Sequence, residues 1–228
     1  MEAKQPKEAR LEPETAVDTV AERIREGIFQ GQYAVGQRLI EAELTGEYAV
    51  SRHTLRAALA RLEADGLVEI STNRGATVRR LSRKALADLL NLRATLDAYG
   101  ARLAAQNVGL GKFRARLEAA VKIWRRADLL KDPVVHLVEN ARFHGLIFEM
   151  SGNERLPEVV RQLQIPGYRL RFRLLLTPDR LARSAADHVA IATAILAGDA
   201  RKAEAQARAH TEWSASLLQS LPDTDFSA

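Results

Sequence analysis

The sequence predicts a mainly helical protein in two parts. Three helices closed by a β-hairpin come first, and an all-α bundle of six or seven helices follows. Three observations carry this. Val17, Val20, Ile24 and Ile28 recur at helical spacing near the start, as do Leu55, Leu59 and Leu62 further on. Two short strand-like runs, Leu67 to Ile70 and Ala76 to Arg80, flank the polar turn Ser71 to Gly75, which is the pattern of a hairpin. From Ser82 onward no convincing strand pattern occurs, and helical periodicity is broken only at short turn signals.

The first segment, to about Pro13, is polar with two prolines and mixed charge, and reads as a mobile arm over residues 1–14. A helix follows from Thr15 and ends at Gly31, and a short second one is expected over Glu41 to Tyr48. The third is the best delimited, because Ser51 is a good N-cap and Gly66 suits the left-handed position after a helix end. Its leucines bury one side, while Arg52, His53 and Arg56 fall mostly outside that stripe near the amino-terminal end. Such a helix fits a DNA major groove, where arginine forks onto guanine edges or phosphates; a solvated basic face would look the same in isolation. The flanks decide in favour of DNA. Three helices and a hairpin make a winged helix-turn-helix, whose hairpin tip, with Asn73, Arg74 and Gly75, can reach a minor groove or the backbone.

Composition agrees without adding much. Hydrophobic residues at 46% and charged ones at 28% describe a globular chain of 228 residues, long enough for two domains. A net charge of +5 and a pI near 9.7 suit a polyanionic partner but do not demand one. The absence of cysteine excludes disulfides and thiolate metal sites. No apolar run reaches spanning length and the start lacks a signal-peptide core, so a cytoplasmic protein without membrane contact is expected.

The second part divides at Gly109 with Gly111, Lys131-Asp132-Pro133, Ser151-Gly152-Asn153, Pro166-Gly167, Thr177-Pro178-Asp179 and Gly198-Asp199, with Pro166 interrupting a helix rather than ending it. Within it, His144, His188 and His210 each lie in a helix that also carries apolar residues, and Asn140 shares a face with His144 at i, i+4. Neutral imidazoles in this number suit zinc, nickel, copper, iron or manganese, zinc or nickel foremost, although scattered helical histidines are more often core or surface groups. His136 reads as a helix-start residue.

Two stretches resemble a known family. Gly36 to Glu41, Leu44, Val50 to Leu59, Arg61 to Val68 and Arg74 to Val78 are similar to the DNA-binding domain of GntR-family regulators. The resemblance implies groove contacts from Ser51, Arg52, Thr54 and Arg56 and a wing contact from Gly75, with His53 and Arg74 as neighbouring candidates; many members carry a smaller residue at the position of His53. Phe143-His144, Ser151-Gly152-Asn153, Asp187-His188 and the closing His210 resemble the FCD effector domain of the FadR subfamily. That implies a divalent ion held by Asn140, His144, His188 and His210, with asparagine where aspartate is commoner. It also implies a small carboxylate effector, to which Arg93 faces across a cavity or from which it is withheld by a bridge to Asp97 at i+4. On this reading the chain is expected to be a transcriptional repressor that binds a pseudo-palindromic operator as a homodimer. Its domains run 15–81 and 82–221 with a tail at 222–228. The rival is a metal-dependent hydrolase or lyase, which needs an acid or base aimed at an open metal position, and no acidic residue is compellingly placed for it.

Overall fold

The computed structural model describes residues 13–71, 75–126, 131–163 and 168–227. The chain forms two compact units, Met1–Arg80 and Leu81–Ala228. Among the described residues no helix is long and apolar enough to cross a membrane.

In the first unit, α1 (Pro13–Gln30), α2 (Glu41–Tyr48) and α3 (Arg52–Ala64) surround a single core. Ile24, Ile28, Leu55 and Leu62 are wholly inaccessible in it, so both sequence stripes point inward. Ser51 caps α3 by accepting from the Thr54 amide at 3.1 Å. The chain then forms β2 (Val68–Ser71) and β3 (Gly75–Val78). They pair antiparallel with Val68 opposite Val78 and Ile70 opposite Ala76. A strand that periodicity did not reveal joins them. β1 (Arg38–Leu39) lies on the other side of β3, giving the order β1-β3-β2. Two residues are too few to show alternation, although Leu39 is buried and Arg38 exposed. The approach to β1 requires Gly36, whose φ is +74° and whose missing Cβ would collide with the Arg80 guanidinium.

The second unit has seven helices among its described residues: α4 (Arg83–Asn107), α5 (Phe113–Trp124), α6 (Pro133–Met150), α7 (Leu156–Gln162), α8 (Tyr168–Leu175), α9 (Pro178–Leu196) and α10 (Ala200–Gln219). Four of their starts are fixed by side-chain caps. Ser82, Asp132, Thr177 and Asp199 each accept from an amide of the first turn. The interruption expected at Pro166 lies outside the described residues. Small residues of α4, namely Ala101, Ala104 and Ala105, let α6, α9 and α10 approach closely, and Phe143, Met150, Ile191 and Ile195 fill the resulting core.

Residues 222–227 differ from the expected tail. They turn back and pack, with Asp225 and Phe226 buried. Arg83 donates to the carbonyls of Gln219 and Leu221 at 2.7 Å each, and its guanidinium lies over the Phe226 ring at 4.0 Å. Tyr168 donates its hydroxyl to the Asp225 carbonyl at 2.8 Å, Arg171 pairs with the Asp225 carboxylate at 2.8 Å, and the Ser227 amide reaches the Leu81 carbonyl at 3.0 Å. The short polar composition hid these partners, all of which are distant in sequence. Arg83→Ala is expected to cost about 2 kcal/mol, the scale of losing charge-assisted bonds that satisfy carbonyls at a helix end. Chemical denaturation of the full chain checks this, and an unchanged midpoint would contradict it.

Candidate metal centre and DNA-reading surface

Helix α6 supplies His144, α9 His188 and α10 His210. The last two meet because the turn at Gly198, with φ +71°, folds α10 back along α9, so residues ten before and twelve after it are opposed. Their ring centroids are 4.4 Å apart, and His144 stands 5.4 Å from His188 and 5.7 Å from His210. One nitrogen from each ring lies within 4.8 Å of the others. A metal bonded at about 2.0–2.1 Å to each would hold its nitrogens about 3.0–3.4 Å apart, so the rings need only draw together modestly.

His188 is the centre of the arrangement. It is wholly buried, and neither Nδ1 nor Nε2 has a hydrogen-bond partner. The Ser184 carbonyl one turn earlier approaches the ring, but without the geometry of a hydrogen bond. An orphaned pair of this kind costs stability unless something else occupies it. Burial pushes His188 well below the ordinary histidine range, and His210, His144 and His136 add to this. Burial likewise lowers His144 to about 4, with Asp97 opposing and His210 and Arg93 reinforcing the fall. His144 keeps some exposure as a residue, though its ring is enclosed. Both rings are therefore neutral at ordinary pH, the form that ligates.

Residues that the sequence did not single out orient the three. Asp187 Oδ2 accepts from His210 Nδ1 at 3.2 Å, which fixes the proton on Nδ1 and leaves Nε2 with its lone pair. Trp124 stacks on His188 with centroids 4.0 Å apart and planes at 30°. His136 does begin α6, but it is buried there and shares a 2.9 Å hydrogen bond with Ser184 Oγ, beside the triad rather than within it. Asn140 is half-buried one turn before His144. Arg93 takes the option of the internal bridge: its Nε donates to both oxygens of buried Asp97 at 2.8 and 2.9 Å, and Asp97 also accepts from Thr211 Oγ1 at 3.0 Å. Through Thr211, the neighbour of His210, the Arg93–Asp97 pair is linked to α10 beside the triad.

The first unit carries the expected cationic helix face. Ser51, Arg52, His53 and Arg56 are exposed and Thr54 is half-exposed, while the intervening leucines are buried. Arg56 is anchored: its Nε lies 3.1 Å from both oxygens of Glu41 on α2. Gly75 opens β3 with φ +77°, a conformation that a side chain would strain. Arg74 and Asn73 lie outside the described residues. Arg38 was not foreseen; exposed on β1, its Nε is 4.0 Å from where a Cβ of Gly75 would be, which puts a further cation beside the wing.

A winged helix-turn-helix with a cationic reading face, joined in one chain to a helical bundle, defines a DNA-binding regulatory protein. Residues 16–78 match the family of bacterial regulatory proteins called gntR, and residues 88–212 match the FCD domain. The chain is 30% identical over 214 residues to an uncharacterized HTH-type transcriptional regulator BphR of Paraburkholderia xenovorans, covering 89% of this chain and 85% of that protein. In fold it is similar to McbR/YncC of E. coli, with a TM-score of 0.73 at 19% identity over 89% of this chain and 96% of that one. It is also similar to a putative transcriptional regulator GntR of Rhodococcus sp. RHA1, with a TM-score of 0.69 at 23% identity over 91% and 100%. The chain belongs to the GntR family of transcriptional regulators and carries an FCD domain. The enzymatic alternative finds no support in these relatives.

Proposed function

We propose that this regulator is a homodimeric repressor whose hold on a pseudo-palindromic operator is governed by a small organic acid, bound beside a divalent ion that His144, His188 and His210 hold with Asn140. The observation that supports it most is His188, buried with both nitrogens unpartnered between two other histidines. Three neutral nitrogens and an amide oxygen suit zinc or nickel. The ion would supply a Lewis-acid anchor for a carboxylate. The protein's part is to orient. Asp187 sets the tautomer of His210, Trp124 fixes the plane of His188, and Arg93, its Nε held by Asp97, would offer its remaining N–H groups to an anion. The negative charge of Asp187 lies one ring away, so capture of the acid leans on Arg93 as well as on the ion. Elemental analysis after dialysis, followed by a thermal-shift screen of carboxylic acids on the metal-loaded chain, tests the reading. A protein that retains no metal and responds to no acid would overturn it.

On DNA, Ser51, Arg52, His53, Thr54 and Arg56 would face the major groove and Arg74 and Gly75 the wing contact, with half-site centres about one helical turn apart. Arg56→Ala is expected to weaken operator binding about tenfold or more, as loss of a bidentate arginine contact does, without unfolding the unit, since the position is exposed. Unchanged affinity in a gel-shift titration, with the circular dichroism intact, would remove Arg56 from the interface.

A further inference from the structure

Arg56 differs from the other cations of its helix face in being tethered. Both oxygens of Glu41 engage Nε, the one N–H on the side of the guanidinium, and among the described residues the two Nη groups bond nothing else. The exposures are unequal: 70% for the Arg56 side chain against 27% for Glu41. The carboxylate is thus the fixed partner, seated in the first turn of α2, and the guanidinium projects from it. Ordering a long side chain normally costs rotamer entropy on binding, and an anchor at Nε meets that cost before DNA arrives. The end that remains is the two-nitrogen fork that matches O6 and N7 of guanine. A free arginine can swing to whichever phosphate is near; an anchored one reaches a narrow range of positions. Glu41 also brings negative charge toward the phosphate face, which penalises every sequence that does not repay it with a base contact.

We infer that Glu41 is a specificity-determining residue of this regulator: it aims Arg56 at one base pair of each half-site and suppresses binding to DNA lacking it. Glu41 positions and Arg56 reads. The inference rests on the family's DNA-binding function and makes a statement that the family assignment does not contain, namely that removing a residue of α2 loosens discrimination while strengthening indiscriminate binding. Opposite signs of this kind do not arise from mere damage to the helix.

The test begins with an operator selected by the wild-type full chain from a random-sequence DNA pool. Fluorescence anisotropy then compares that operator, each of its single base-pair variants, and random DNA, for the wild type, Glu41→Ala, Glu41→Gln and Arg56→Ala. In the wild type, one position per half-site is expected to carry a penalty of about tenfold or more that Arg56→Ala erases. Glu41→Ala should shrink that same penalty to a few-fold, leave the other positions unchanged and tighten binding to random DNA. Glu41→Gln, which keeps an acceptor but not the charge, should fall between. Adding Glu41→Ala to Arg56→Ala should change the penalty profile no further. A Glu41→Ala profile identical to wild type, or one weakened equally on every DNA, would overturn the assignment of Glu41 and leave the family function standing. Failure of the wild type to enrich any sequence would instead overturn sequence reading itself, and Glu41's role with it.

Discussion

His188→Ala is expected to abolish stabilisation of the protein by zinc. In the wild type, zinc at about a hundred times its dissociation constant should add roughly 2.7 kcal/mol, because an ion that binds only the assembled site shifts the folding equilibrium by mass action. For a helical unit of this size that is a rise of several degrees in melting temperature. The variant should show none of it. Its metal-free stability is a separate matter with opposing contributions. Truncation removes the stacking partner of Trp124 and an edge contact of Phe143, which destabilises. It also removes two buried nitrogens without partners, which relieves a cost. The response to zinc, measured by calorimetry with and without the ion, is therefore the decisive quantity. Equal rises in wild type and variant would place any bound zinc somewhere other than this triad.

Much of this molecule was legible because its local signals agree with its tertiary structure. Ser51, Ser82, Asp132, Thr177 and Asp199 all cap helices, and the stripes through Ile24 and Leu55 are the core of the first unit. The triad was legible in part, since histidines inside apolar helices are few and the Gly198 turn makes their helices neighbours. What was illegible shares one property: its meaning resides in a partner from another element. Asp187 and His188 are consecutive, so they point about 100° apart on α9, and no periodicity announces that Asp187 meets His210. Asp97 was seen as a bridge for Arg93 but not as an acceptor for Thr211, which is 114 residues away. In the sequence Glu41 is only the expected start of a short helix, and the packing of α2 against α3 brings it to Arg56. The closing residues 222–227 were too few and too polar to suggest that three side chains would hold them.

Acid should destabilise the metal-free protein over a window that His144 and His188 define. Both have folded-state pKa values below the ordinary 6.5, chiefly through burial: His144 at about 4, and His188 well below that ordinary value. Between the folded and unfolded values the unfolded chain binds more protons, so stability rises with pH there. Their contribution is fully present above 6.5, falls as pH drops from 6.5 toward 4, and for His144 is exhausted below that. A shift of this size is worth about 3 kcal/mol at most for His144, which is comparable with a large part of a typical domain's stability. Ion-paired carboxylates such as Glu149, held down by Arg116, release their contribution only from the ordinary carboxylate range downward, so the interval from pH 5 to pH 6 reports chiefly on the histidines. Urea unfolding of the second unit's signal at pH 5 and pH 6 should show wild-type stability rising by about 1.2 kcal/mol more over that pH unit than that of His144→Leu, most of one proton's worth. The leucine variant keeps the volume filled while removing the titrating group. Parallel slopes for the two proteins would mean that the ring of His144 already meets solvent well enough to protonate in the folded state, and that burial is not what keeps it ready to bind a metal.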